Sequence, residues 1–249
     1  MGFQNLKDAF TGYVRNDVRR HRAALSWAGL EEKHHRKAGY LALAFGAAAL
    51  AVAPSLTLGT LGAYLVWRSA VQGQNIDHGN MVGFMGTWPM VAHFMMNGDM
   101  PAALHSTIGG LRAAAVVSIG DYRFRTRATI SILFGLAGAA TYSTFMPLET
   151  TLDRLPLAAI FFSTLGGSFG KSLQKWGLLS YMGTATSIGA YFALSENGSW
   201  PGLMLQVVNG AMMINIAVRR DWSFWGLNPL YNPKAYEEAP PKLEIETPK

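Results

Sequence analysis

The chain has 249 residues, of which 50% are hydrophobic and 14% are charged, whereas soluble domains carry about 25% charged residues. Cysteine is absent, which excludes disulfides, thiolate catalysis and cysteine-based metal sites. The formal net charge is +6. The basic residues lie between apolar segments. The positive-inside rule for loops between membrane spans explains this placement better than nucleic-acid binding does.

The N-terminal domain, residues 1–37, is polar and has no apolar core of the length that a signal peptide needs. Apolar residues recur in it at a helical spacing of three and four, with basic residues between them, at Phe3, Leu6, Phe10, Tyr13 or Val14, and Val18. The pattern predicts a cytoplasmic, basic amphipathic helix over Phe3–Arg20. Such a helix either lies on an anionic membrane surface or docks on a protein partner.

Residues 38–220 form the predicted transmembrane domain, which contains eight apolar segments. These are Gly39–Ala53, Leu56–Val71, Met81–Met96, Pro101–Ile119, Ala128–Pro147, Leu155–Phe169, Trp176–Leu194 and Trp200–Val218. Several are shorter than the ~20 residues that a perpendicular span needs, so the loop charges decide the number of spans. Basic and acidic loops alternate, and eight spans with both termini in the cytoplasm satisfy the positive-inside rule throughout.

The remaining segment, residues 221–249, carries five prolines and charges of both signs. This composition predicts an extended cytoplasmic tail that lies outside the fold. Trp222, Phe224 and Trp225, which follow the last span, predict an aromatic anchor at the membrane surface.

The transmembrane domain contains an internal repeat, with one copy at about residues 36–125 and the other at about 125–220. Short matches recur in the same order in both copies: Met-Gly-Thr at 85–87 and 182–184, His93-Phe94 and Tyr191-Phe192, Asn-Gly at 97–98 and 197–198, and Pro101 and Pro201. Four spans return each copy to its starting side, so the copies are parallel. Parallel repeats occur in transporters, although duplication is also a simple way to build a stable bundle.

Five polar side chains within the spans form the candidate site: Arg112, Gln206, Asn209, His93 and His105. Gln206 and Asn209 share a helix face with small residues, where they either line a polar path between the repeats or form interhelical hydrogen bonds. Arg112, on one face with His105, either reaches the cytoplasmic surface or faces the bundle interior, where a charge indicates function. His93 and His105 lack a third ligand at metal-binding spacing, so we expect no metal and no cofactor.

Motifs for catalysis are absent from the sequence. It contains no phosphate loop, nucleotide fingerprint or metalloprotease helix motif, and no convincing Ser/His/Asp set lies within the spans. The spans contain no carboxylate, because the acidic residues of the far side, such as Asp99, fall in predicted loops. The sequence therefore predicts a protein that is not an enzyme.

The stretch VVNGAMMINIAVRR, Val207–Arg220, combines an apolar helix, an Asn-Gly pair, a second Asn and terminal arginines. It resembles the YgjV-type bacterial inner membrane proteins, and the resemblance extends over about Leu155–Arg220 and more weakly over Gly86–Arg123. The resemblance implies an all-helical protein of the bacterial inner membrane, in a family whose function is largely uncharacterised. It supplies no catalytic residues.

Together these patterns predict an all-α, polytopic integral membrane protein with about eight transmembrane helices in two parallel four-helix repeats. The first hypothesis for function is a small-solute transporter or channel-like protein with a polar site between the repeats. The alternative is a non-catalytic structural or assembly subunit of a larger membrane complex. Expected partners are the lipid bilayer and either other membrane subunits or a second copy of the chain, with no nucleic acid.

Overall fold

The structure of the chain is a computed structural model. It describes residues 31–71, 76–119, 124–146, 148–168 and 174–219, together with seven N-terminal residues: Gln4, Lys7, Asp8, Phe10, Thr11, Val14 and Val18. The described ranges consist of helices and short connections, and no strand occurs among them. The predicted all-α fold class is therefore confirmed.

Eight helices cover the described ranges, and they coincide with the eight apolar segments of the sequence. They are α1 (Glu32–Val52), α2 (Pro54–Val71), α3 (Ile76–Met96), α4 (Met100–Ile119), α5 (Phe124–Phe145), α6 (Thr151–Ser168), α7 (Gln174–Leu194) and α8 (Trp200–Arg219). Helix α1 begins seven residues before its apolar segment, since the charged run from Glu32 contains no proline and no glycine before Gly39. Its Glu, Lys and Arg residues favour helix.

The predicted N-terminal helix, Phe3–Arg20, is described at only the seven positions named above, and all seven have helical backbone. Two local hydrogen bonds have the spacing of a helix turn: Gln4 Nε2 donates to Asp8 Oδ1 at 2.9 Å, and Thr11 Oγ1 donates to Lys7 O at 2.9 Å. The rest of this helix, and the predicted tail at 221–249, lie outside the described residues.

Helices that follow one another in the chain pack side by side, and contacts of α2 with α8 and of α4 with α6 also join the first half (α1–α4) to the second half (α5–α8). Helix α2 packs against α8, where the Trp67 indole N–H lies 3.2 Å from Met212 Sδ. Helix α4 packs against α6, where Arg112 donates a hydrogen bond to the Ser163 carbonyl.

The glycine of each Met-Gly-Thr motif lies where its helix contacts the preceding helix. A Cβ added at Gly86 in α3 would lie 2.8 Å from Val66 N in α2, so the two backbones touch there. A Cβ added at Gly183 in α7 would lie 2.8 Å from the Phe162 ring in α6. The motif therefore allows close helix packing in both halves, as small residues do at other helix contacts.

The buried core lies where α3, α4, α6 and α7 meet. It includes Phe94 and Phe192, whose rings stack with centroids 5.4 Å apart and planes 16° apart. The outer surface, by contrast, carries many large apolar side chains, among them Phe45 at 78% exposed, Val52 at 87% and Leu136 at 65%. By length and apolar composition, Met100–Ile119 and Ala128–Phe145 are the two helices of the described part that could each cross a membrane.

Candidate functional site

A cavity of about 140 Å³, with a mostly apolar lining and several polar side chains, lies between α4 of the first half and α5, α6 and α7 of the second half. Its polar lining residues are His105, Arg112, Ser163, Thr164, Tyr181 and Thr184, and its other lining residues are apolar or glycine. The cavity therefore combines side chains of both halves of the chain, and its polar groups come from three helices.

Helix α4 supplies one wall of the cavity, because His105, Gly109 and Arg112 follow each other at four and three residues and so share one face. Gly109 adds space to this wall, since a Cβ built there would meet nothing within 4 Å. Gly135 in α5 differs, because a Cβ there would collide with the Thr164 side chain. Gly109 is thus a position where the cavity can be filled without disturbing a neighbouring helix.

Arg112 is the charged residue among those described that line the cavity. Its Nη1 donates to Ser163 O at 3.0 Å, which ties α4 to α6. Among the described residues, Arg112 forms no ion pair with a carboxylate. One of its five N–H groups is used in a hydrogen bond, the one to Ser163 O. The guanidinium therefore keeps donors for a further acceptor.

His105 lies one to two turns from Arg112 on the same wall. Its Nδ1 is buried and has no hydrogen-bond partner among the described residues. Buried polar atoms are paired in the great majority of cases, so the His105 Nδ1 is an exception beside the cavity. Because almost none of its surface is accessible, it would meet a ligand only after a shift of the ring. His105 and Arg112 together make this cavity the strongest candidate binding site.

A second polar cluster, the cap network, joins the halves at the ends of α3 and α7. His93 Nε2 lies 2.7 Å from Ser199 Oγ, and Tyr191 OH donates to Asp99 Oδ1 at 2.8 Å. Ser199 and Asp99 are the N-cap residues of α8 and α4. Each cap oxygen accepts a first-turn backbone N–H, from Gly202 to Ser199 at 3.0 Å and from Ala102 to Asp99 at 3.1 Å.

The hydrogen bonds of His93 determine its role in the cap network. Nδ1 lies 2.8 Å from Ser55 O, a pure acceptor, which assigns the ring proton to Nδ1. Nε2 then accepts from the Ser199 hydroxyl. Gly59 makes room for the ring, because a Cβ there would lie 2.8 Å from His93 Cγ. Although a Ser–His pair can act in catalysis, Ser199 is 2% exposed and caps α8, so this pair serves as a cap.

Asp99 lies in the loop between α3 and α4, as the sequence predicts, but it is buried there. It follows the loop residues Asn97 and Gly98, where Gly98 takes a positive φ of 74°, but its side chain is 1% exposed. Burial raises the pKa of Asp99 above its ordinary value, while the bonds from Tyr191 and Ala102 and the nearby His93 oppose the shift. Its Oδ2 has no partner among the described residues.

One sequence signal could have identified both caps. Asp99 stands two residues before Pro101, and Ser199 stands two residues before Pro201, which places a good cap residue just ahead of a proline in the first helical turn. That signal predicts the cap, but the burial of Asp99 depends on Tyr191 from another helix.

The five residues proposed from the sequence occupy three different places. His105 and Arg112 line the cavity together, and His93 belongs to the cap network. Gln206 and Asn209 are half-buried on α8 and do not line the cavity. Gln206 packs beside Gly189 of α7, where an added Cβ would lie 3.3 Å from Gln206 Cβ.

The second half also contributes polar groups that the sequence analysis did not select. Ser163, Thr164, Tyr181 and Thr184 complete the cavity. The Ser163 and Thr184 hydroxyls donate within their own helices, to Ile160 O at 2.9 Å and Ser180 O at 3.2 Å. Serine and threonine bonded in this way are common in apolar helices, so nothing in the sequence distinguishes these two.

The described residues include no group of three or more His, Asp or Glu side chains that could hold a metal ion. No protein-family model matches the chain, and no match was found among curated proteins or among solved structures. The chemistry of the cavity therefore rests on Arg112, His105 and the hydroxyl side chains beside them.

Proposed function

We propose that the chain is a polytopic membrane protein of eight transmembrane helices that moves a small solute by way of the cavity between α4 and α5–α7. The observation that carries this proposal is a cavity walled by both halves and lined by Arg112 and His105, whose Nδ1 has no hydrogen-bond partner among the described residues. Ionisable residues within membrane helices are costly and occur mainly where they serve solute or proton pathways. Solute sites of many transporters lie at the interface between their two halves.

The distribution of apolar and polar side chains supports the membrane assignment. Large apolar residues such as Phe45 and Val52 are exposed, whereas His93 and Asp99 are buried. Apolar patches of this kind on an outer surface mark contact with a membrane or a partner. Helices α4 and α5 have the length and composition of membrane spans, and the loop charges favour cytoplasmic termini.

The contacts between the halves support two parallel repeats. If α1–α4 correspond in order to α5–α8, then α2 corresponds to α6 and α8 corresponds to α4. The contact of α2 with α8 then has the contact of α6 with α4 as its equivalent, and both contacts occur. By the same exchange, the bond from Tyr191 to Asp99 becomes the pair of His93 and Ser199. Phe94 becomes Phe192, and these two rings stack on each other. A twofold axis between the Phe rings and parallel to the helices accounts for all three exchanges.

The bacterial inner membrane is part of the proposal through the resemblance to YgjV-type proteins. The alternative function, an assembly subunit, is favoured by α8. Gln206 and Asn209 lie outside the cavity, and Val207 and Val208 beside them are exposed. This face could contact another membrane subunit through amide hydrogen bonds and small residues.

Reconstitution into liposomes tests transport directly. The purified protein should admit small solutes that protein-free liposomes exclude. Gly109→Leu should abolish this flux, because Leu fills the cavity from the α4 wall. Gly46→Leu is the matched control, since a Cβ at Gly46 also meets nothing within 4 Å but lies on the exposed face of α1. The assembly alternative would be supported instead by two results together. The flux of neutral, anionic and cationic solutes would equal that of empty liposomes, and other subunits would co-purify stably with the protein.

A further inference from the structure

We propose that the cavity between α4 and α5–α7 binds a small oxyanion, with Arg112 holding its negative charge. This inference rests on the proposed function, because it names the class of solute that the same site takes. It covers a carboxylate or an inorganic oxyanion with two oxygen atoms that the guanidinium can bond side by side.

The charge of the cavity favours an anion. Arg112 is cationic, and the described lining residues include no Asp and no Glu. A positive charge that is partly buried without an anionic partner is unfavourable, because its hydration is lost and the bond to Ser163 O replaces only part of that interaction. A bound anion would supply that interaction. A cationic solute would meet the same charge as repulsion, and a neutral solute would leave it unpaired.

The hydrogen-bonding groups favour an oxygen ligand. The bond from Arg112 Nη1 to Ser163 O fixes one side of the guanidinium at 3.0 Å. Arginine binds carboxylates and phosphates through paired N–H groups, and the described hydrogen bonds leave a pair of these groups available. His105 lines the same wall, but its Nδ1 is buried, so Arg112 supplies the donors for the ligand.

The volume of the cavity limits the ligand. At about 140 Å³ it is close to the ~150 Å³ of an engineered cavity that accepts benzene. The ligand therefore has on the order of six non-hydrogen atoms. Acetate, lactate and phosphate satisfy this limit, whereas nucleotides and disaccharides exceed it.

The test compares acetate with acetamide, which has nearly the same shape and no charge. Binding to the purified full-length protein is measured by calorimetry and by the shift in unfolding temperature, with inorganic phosphate as a separate ligand. We expect saturable binding of acetate or phosphate and no saturable binding of acetamide. The acetate and phosphate titrations distinguish a carboxylate solute from an inorganic one. Equal binding of acetate and acetamide, or no binding of either anion, would overturn the inference.

Variants at Arg112 identify the group responsible. Arg112→Gln removes the charge but keeps a donor for Ser163 O, and it should weaken anion binding by about tenfold or more, since charge-assisted hydrogen bonds are about twice as strong as neutral ones. Arg112→Lys keeps the charge without the planar pair of donors and should bind at an intermediate strength. Anion binding that is unchanged in a folded Arg112→Gln variant would contradict the assignment.

Flux measurements separate this inference from the proposed function. Arg112-dependent anion binding without flux in liposomes would leave the inference standing and overturn the transport proposal. Flux of neutral solutes that is blocked by Gly109→Leu, without anion binding, would support transport and overturn the inference.

Discussion

Asp99 offers the sharpest test of the cap network through its replacement by Ala. Asp99→Ala removes the N-cap of α4, a loss that costs about 0.5–2 kcal/mol. It also removes the carboxylate acceptor of the buried Tyr191 hydroxyl, and loss of a buried acceptor costs about 1–3 kcal/mol. Central values of both give a loss of roughly 3 kcal/mol at acidic pH, below the raised pKa of the Asp99 carboxyl. At higher pH the wild-type protein carries an unfavourable buried negative charge on Asp99, and Asp99→Ala removes it. The loss of unfolding free energy should therefore be smaller there.

Asp99→Asn is the matched variant, because its Oδ1 can still accept from Tyr191 and from Ala102 N. Its loss should be smaller than that of Asp99→Ala. The assay is thermal unfolding of purified protein in detergent, where each 1 kcal/mol corresponds to about 2–4 °C for a chain of this size. Asp99→Ala should therefore lower the midpoint by about 6–12 °C at acidic pH. Equal midpoints for the Asn and Ala variants, or no loss in either, would refute the cap network as described.

Three further predictions concern the same network. Because the folded-state pKa of Asp99 is raised, its contribution to stability is fully present below the ordinary Asp pKa of about 3.9 and is lost as pH rises through the raised value. The unfolding midpoint of the wild type relative to Asp99→Asn should therefore fall across that window, and a rise would contradict the burial of Asp99. Gly59→Ala should destabilise the protein by roughly 1–3 kcal/mol, because its Cβ would lie 2.8 Å from His93 Cγ. The control Gly46→Ala should not destabilise it. Equal unfolding midpoints for the two variants would show that the His93 ring does not occupy that space. In a double-mutant cycle of His93→Ala and Ser199→Ala, unfolding should give a coupling energy of about 0.5–3 kcal/mol, and strict additivity would exclude their hydrogen bond.

Helix positions follow largely from the sequence, because apolar runs bounded by charged or turn-forming residues determine where helices can form. The eight apolar segments coincide with α1–α8 for that reason. Spacing also places His105 and Arg112 on one face of α4. The Asn-Gly matches conceal a difference, however. Gly98 is required for its positive φ, whereas a Cβ at Gly198 would collide with Phe192 O.

The composition of the cavity could not be predicted in the same way. It depends on which faces of α5, α6 and α7 meet α4, and helix periodicity does not determine contacts between helices far apart in the chain. Ser163 and Tyr181 therefore gave no signal. Gln206 and Asn209 gave a signal for an interhelical role, but their position on α8 separates them from Arg112. Asp99 was assigned to a loop correctly by position, and only the packing of α7 over that loop buries it.

The central claim, a cavity with several polar side chains inside a membrane bundle, can be tested by thiol labelling, because the chain has no cysteine of its own. Gly109→Cys places a single thiol in the cavity wall, and Gly46→Cys places one on the exposed apolar face of α1. In intact membranes, iodoacetate, a water-soluble anionic reagent small enough for the cavity, should modify the Gly109→Cys thiol and leave the Gly46→Cys thiol unmodified in lipid. Acetate should slow the first reaction in an Arg112-dependent way. Rapid labelling at Gly46→Cys, or none at Gly109→Cys, would contradict the account.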